Sequence, residues 1–145
     1  MKNMLRVLGI LLLLGSATSC GDYLSDIEPS PLIGEPFTLK YAHSEAVSPD
    51  NLFVTFVGME EDSRCPVGVQ CLWEGQVIVE VKVQKGSKSI DVKLGLGTLP
   101  ASGIGSEAVV FGRTVKLLAV NPYPEEFTMQ LPIPERDYRI NLVVE

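Results

Sequence analysis

The chain has 145 residues, of which 46% are hydrophobic and 21% charged, and it carries a net charge of −6. That length accommodates a single apolar core, and the composition excludes a wholly disordered chain. An acidic chain without a Lys/Arg cluster is not built to follow a nucleic-acid backbone or an anionic lipid surface, so nucleic acid is excluded as a partner and the charge is read as solubility.

Lys2 and Arg6 open the chain, residues 7–14 are apolar apart from Gly9, and residues 15–19 are small or polar ahead of Cys20. This is the three-part layout of an export signal, with an apolar stretch too short to span a bilayer. A cysteine directly after the small residues resembles the lipobox of bacterial lipoproteins. That resemblance implies removal of residues 1–19 and lipidation of Cys20, so that the lipid bilayer becomes a partner through the acylated cysteine. Ordinary cleavage near Ala17 would instead leave Cys20 a free thiol. The cysteine count of three favours the lipid: with Cys20 acylated, Cys65 and Cys71 remain as an even pair for a disulfide in an oxidising compartment. Loss of residues 1–19 leaves ten basic and eighteen acidic residues, a net charge of −8.

Residues 20–35 contain Pro29, Pro31 and Gly34 among scattered acids and read as an extended tether. From Cys20 to Phe37 it reaches about 50 Å when fully stretched. Residues 36–145 then form one domain. Residues 37–41 alternate as a first strand. Ser48-Pro49-Asp50-Asn51 marks a turn within residues 43–50. In residues 52–59, Leu52, Val54 and Phe56 share one face and Phe53, Val57 and Met59 the other, predicting a central strand covered on both sides.

Val77, Val79, Val81 and Val83 alternate with Ile78, Glu80, Lys82 and Gln84, the pattern of a half-buried strand. A hairpin turn at residues 85–88 leads to a return strand carrying Ile90, Val92 and Leu94. Residues 95–106, with four glycines and a proline, read as a loop. A second hairpin pairs residues 108–111 with 114–120, and the Asn121-Pro122-Tyr123-Pro124 segment ends it, because proline cannot donate to a sheet ladder. Pro132 and Pro134 break residues 129–134, and Tyr138, Ile140, Leu142 and Val144 form the closing strand. Seven short strands with hairpin signals predict an all-β fold, an Ig-like antiparallel two-sheet sandwich, with a barrel as the alternative.

Residues 60–76 concentrate two cysteines, the single tryptophan, a proline, two glycines and four acids. A Cys65–Cys71 bridge over this short loop contributes about 2 kcal/mol by limiting the unfolded chain. Asp62 and Ser63 are expected to cap turn N–H groups, Arg64 to pair with Glu74 or Asp62, Trp73 to seed the core, and Gly75 to mark a bulge. The run Asp62-Ser63-Arg64-Cys65-Pro66, four residues, Cys71, one residue, Trp73, one residue, Gly75 resembles a signature of uncharacterised exported bacterial proteins, many of them lipoproteins. The resemblance covers most of residues 37–144. It implies a β-rich domain with this loop in place and brings no activity with it.

Catalytic chemistry finds little support. Glu60, Glu61, Asp62 and His43 offer metal-binding atoms, but structural zinc sites use four Cys/His ligands at closer spacing, and the acids lack a calcium-loop pattern. Cys-x5-Cys is not the spacing of a thioredoxin-like catalyst. His43 is the sole histidine and no nucleophile elbow accompanies it. Glu74 and Glu80 are nominal candidates for carboxylate hydrolysis. No cofactor and no metal are expected. Tyr123 and Phe127, in a proline-rich segment, are candidates for a binding surface. The expected function is a non-catalytic binding domain anchored in the bacterial cell envelope, at the outer membrane where the host has two, with an envelope protein or glycan as ligand. An inhibitor or protective factor presenting the loop to an enzyme is the alternative, and a small hydrolase the remote one.

Overall fold

The computed structural model describes residues 29–98, 103–126 and 131–145. Among these residues, eight strands run as β1 (Phe37–Lys40), β2 (Ser44–Val47), β3 (Leu52–Asp62), β4 (Gln76–Lys85), β5 (Lys88–Gly97), β6 (Glu107–Val110), β7 (Arg113–Asn121) and β8 (Arg139–Val144). They form two four-stranded antiparallel sheets, ordered β1-β8-β7-β6 and β2-β3-β4-β5, and the chain is the all-β sandwich its periodicity predicts.

The core follows from alternation. Val77, Val79, Val81 and Val83 of β4 are all fully buried, as are Leu52, Val54 and Phe56 of β3 and Ile140, Leu142 and Val144 of β8. Phe56 is the largest of the fully buried side chains, and Tyr41 meets it edge-to-face at 5.9 Å between centroids. Strand β3 lies inside its sheet, but its second face is open: Phe53 is exposed, and Val57 and Met59 are half-buried. The expectation of cover on both faces fails because a two-sheet sandwich covers each sheet on one side only, which leaves Phe53 in solvent, while the register shift between Phe56 and Gly58 turns Met59 back onto the core; a second shift lies between Met59 and Glu61. Each shift adds a residue to one strand and turns the side chains beyond it.

Three departures concern boundaries. Residues 44–47 are a strand rather than part of the turn; only Val47 of β2 is buried, so the apolar signal is weak. Strand β5 continues through Gly95 and Gly97 into the expected loop. At Gly97 a Cβ would collide with the Gly75 carbonyl, so a glycine-rich strand end is what that packing admits. The strand count is eight rather than seven.

The register defines two poles. Leu32 bridges to Ser48, and the Gly34 N–H donates to Val144 O (2.7 Å), so the chain enters beside the start of β3 and the end of β8. The Cys65–Cys71 loop joins the end of β3 to the start of β4 at the other pole, together with residues 121–126. Cys20 and Phe127 lie outside the described residues, as do residues 129 and 130.

Candidate functional site

Four backbone links shape the loop at the far pole. Ser63 N donates to Gln76 O (2.8 Å), Cys65 N to Glu74 O (2.9 Å), Val69 N to Pro66 O (3.2 Å) and Val67 N to Pro124 O (2.9 Å). The first two extend the β3–β4 hairpin beyond its strands, and the last ties the tip to the segment after β7. Cys65 and Cys71 are bonded, with Cα atoms 6.0 Å apart. Gly75 has φ +74°, and a Cβ there would run into the Ser63 carbonyl, so only glycine suits the neck. It does so by close approach and not as the expected bulge; the bulges lie in β3.

Asp62 and Arg64 sit at the neck with side chains only 9% and 8% exposed. The Arg64 fork donates from Nε to Asp62 Oδ1 (2.8 Å) and from Nη2 to Asp62 Oδ2 (2.7 Å). Its remaining N–H groups reach the other sheet, with Nη1 donating to Val120 O (2.7 Å) and Nη2 to Pro122 O (3.0 Å). Asp62 Oδ2 also accepts from the Tyr138 hydroxyl (2.8 Å), and the guanidinium lies 4.7 Å from the Tyr123 ring centroid. A planar fork with several donors can satisfy a carboxylate and two carbonyls together, which lysine cannot do. Of the two partners expected for Arg64, it takes Asp62. Burial, and then the Asp62 carboxylate, push the Tyr138 phenol well above its ordinary range, so the hydroxyl stays a donor.

The neighbouring carboxylates are also engaged. Glu61 accepts from Ser63 Oγ (2.8 Å) and Gln76 Nε2 (2.9 Å), and Glu60 pairs with Lys93 (2.6 Å). Glu135 Oε1 accepts from the Met59 N–H (3.0 Å), freed by the bulge, and the Glu135 charge raises the Tyr41 pKa. Gln76 Oε1 is buried and has no hydrogen-bond partner. Among the described residues, no three His, Cys, Asp or Glu side chains gather as metal ligands. His43 donates from Nδ1 to Tyr41 O (2.9 Å) in the β1–β2 connection. Glu80 pairs across the sheet with Lys93, away from Glu74 in the loop.

Two grooves flank the Arg64 strut. One, about 540 Å³, runs along Met59, Glu61, Pro66, Pro124, Ile133 and Tyr138. The other, about 460 Å³, opens between the sheets and is lined by Glu74, Val77, Leu96, Leu118, Val120 and Tyr123. Trp73 is not a core residue: it is 57% exposed, and Leu72, Val67 and Tyr123 are exposed on the same pole. Phe56 takes the central volume that Trp73 was expected to fill, while the neck bonds hold Leu72 and Trp73 on a bend outside the sheets. Sequence reasoning did not find Tyr138, Gln76 or Glu135 as members of this pole. Only Tyr138 carries a signal, as the first aromatic residue at the mouth of a strand. Comparison with family models, curated proteins and solved structures finds no match to the chain.

Proposed function

We propose that the chain is a lipoprotein of the bacterial cell envelope, held to the bilayer through acylated Cys20, with a sandwich that acts as a non-catalytic binding domain for an envelope protein or glycan. The observation that carries this reading is the placement of exposed apolar side chains. Val67 on the covalently closed Cys65–Cys71 loop, and Leu72 and Trp73 directly after it, stand at the pole opposite the point where the chain enters the sandwich. Exposed apolar groups held rigidly together are costly to leave in water and pre-organised for a partner. An anchor at Cys20 attaches the domain on the side of the entry pole and leaves the loop pole free for a partner. The inhibitor reading draws on the same loop and calls for Arg64, Val67, Val69 and Gln70 to protrude; Val67 and Gln70 are exposed, Val69 is half-buried, and the Arg64 side chain is buried against Asp62.

Two measurements test the proposal. Mass analysis of the membrane fraction is expected to find lipid on Cys20; an unmodified, freely secreted product rejects the anchor. A photo-cross-linking residue in place of Val67, activated in living cells, is expected to form a discrete adduct, whereas one in place of Ser87 at the opposite pole is not. Equal labelling from both positions rejects the loop pole as the binding face.

A further inference from the structure

The loop pole differs from the rest of the surface in charge as well as in apolarity. No Lys or Arg occurs between Arg64 and Lys82, or between Lys116 and Arg136. Arg64 itself is buried and neutralised by Asp62. On the two segments that form this face, residues 65–81 and 117–126, the exposed charged groups are therefore carboxylates: Glu74 at the mouth of the groove between the sheets, Glu125 beside Val67, and Glu126, whose Oε2 would lie 3.7 Å from a Cβ on Gly68 at the loop tip. The nearest cations in the fold's register, Arg136 and Arg139, belong to the neighbouring segment and both turn to Asp137. The Glu74 side chain has no hydrogen-bond or ion-pair partner among the described residues. The groove floor is apolar, formed by Val77 and Val120, with Leu96 and Leu118 on its walls. Leu72 and Trp73 directly precede Glu74 on the chain, and both are exposed.

We infer that this groove and the loop beside it dock a cationic, partly apolar segment of another envelope protein. The segment's Lys or Arg meets Glu74, and its apolar side chains cover Trp73, Leu96 and Leu118. The inference rests on the binding-module reading above and names the partner's chemistry. Charge complementarity selects the occupant. A second copy would bring its own unpaired Glu74 and Glu126 to the contact, and an anionic lipid surface would be repelled in the same way. An aromatic and aliphatic centre with a charged rim is the composition of a protein interface.

Trp73 is the only tryptophan, so its emission reports on this site alone. The full lipidated chain in nonionic detergent is titrated with three hexapeptides that alternate leucine with lysine, with serine or with glutamate. The lysine peptide is expected to shift Trp73 emission to the blue with saturation, and to bind more tightly than the other two. Glu74→Gln is expected to weaken it about 5-fold, the size of one rim ion pair, and added salt to do the same; Glu45→Gln on β2 leaves it unchanged. Equal response to all three peptides, an affinity indifferent to Glu74→Gln, or no response at all overturns the inference. So does a blue shift that grows with protein concentration without peptide, which marks self-association, or one produced by phosphatidylglycerol vesicles alone. A Val67 adduct to a partner whose binding ignores Glu74 would leave the binding-module reading standing and remove only the cationic partner.

Discussion

At the scale of single residues, the pole is held by groups whose worth lies in what their removal would strand. Arg64→Met leaves the Asp62 carboxylate buried with only the Tyr138 hydroxyl and local N–H groups, and removes two bonds to the opposite sheet. Breaking one side of a buried pair costs about 3–5 kcal/mol, so urea unfolding is expected to show a loss of that order. Pairing Arg64→Met with Asp62→Asn is expected to cost less than the sum of the two single changes, because no charge is then left alone. Tyr138→Phe removes a hydrogen bond to a carboxylate and is expected to cost about 1–2 kcal/mol at neutral pH. Its pH signature separates it from a packing loss. The folded-state pKa of Tyr138 is raised, so the phenol's contribution is complete below the unfolded value of about 10 and is lost as pH climbs beyond it. The alkaline fall in stability, followed by circular dichroism, is therefore expected to flatten in Tyr138→Phe, with a remainder from Tyr41, which Glu135 holds up in the same direction. The Asp62–Arg64 pairing was legible in the sequence because the two residues stand two apart at the end of a strand. The carbonyls of Val120 and Pro122 were not, since a backbone acceptor leaves no mark on residue identity. Trp73 was misread for a related reason: hydrophobicity states what a side chain gains from burial, not whether its backbone lets it turn inward.

At the scale of elements, strand alternation was readable wherever the ladder is regular. Strand β4 keeps one register with β5 over its whole length, and its valines fall inside as the pattern requires. Strand β3 hid its two bulges: the extra residue at Val57 shifts the parity and puts Met59 on the buried side, while Phe53 before it is an apolar side chain left in solvent, so one buried face looked like two. Strand β2 hid because it buries one residue and is defined by pairing with β3, which only the fold supplies. The loop is the element whose contribution can be measured most directly. Replacing Cys65 and Cys71 together with serine is expected to lower stability by about 2 kcal/mol, since the closed loop is short. The loss should also be local. Amide exchange at Val67, whose N–H bonds to Pro124 O, is expected to accelerate, while Val79 and Val81 in the centre of β4 keep their protection relative to the global stability. A uniform loss of protection across β4 would show that the bridge supports the whole sandwich and not the pole alone.

Over the whole molecule, charged side chains tie the two sheets together at each pole. Beside the loop, Arg64 bonds to Val120 O and Pro122 O while its partner Asp62 accepts from Tyr138. At the opposite pole, Arg113 at the start of β7 donates from Nε to Asp50 Oδ2 (2.7 Å) in the β2–β3 turn. Arg113 holds the Asp50 carboxyl below its ordinary range, so its contribution is present above the unfolded carboxylate value and fades as pH falls through the lower folded one. With its ends fixed in this way, the sandwich sets the distance between tether and loop. Strand β3 has 11 residues, and at about 3.4 Å per residue it spans roughly 35 Å from the entry pole towards the loop. If the chain is anchored at Cys20 as proposed and its loop pole faces outward, Trp73 stands clear of the bilayer when the acylated chain is reconstituted into phosphatidylcholine vesicles. Its emission is expected to be quenched by aqueous acrylamide as strongly as in detergent, and to be unaffected by nitroxide-labelled lipids, which quench only on close approach. Quenching by the lipid label would place the loop on the membrane and remove the ground for reading it as an outward binding face, whatever its charge.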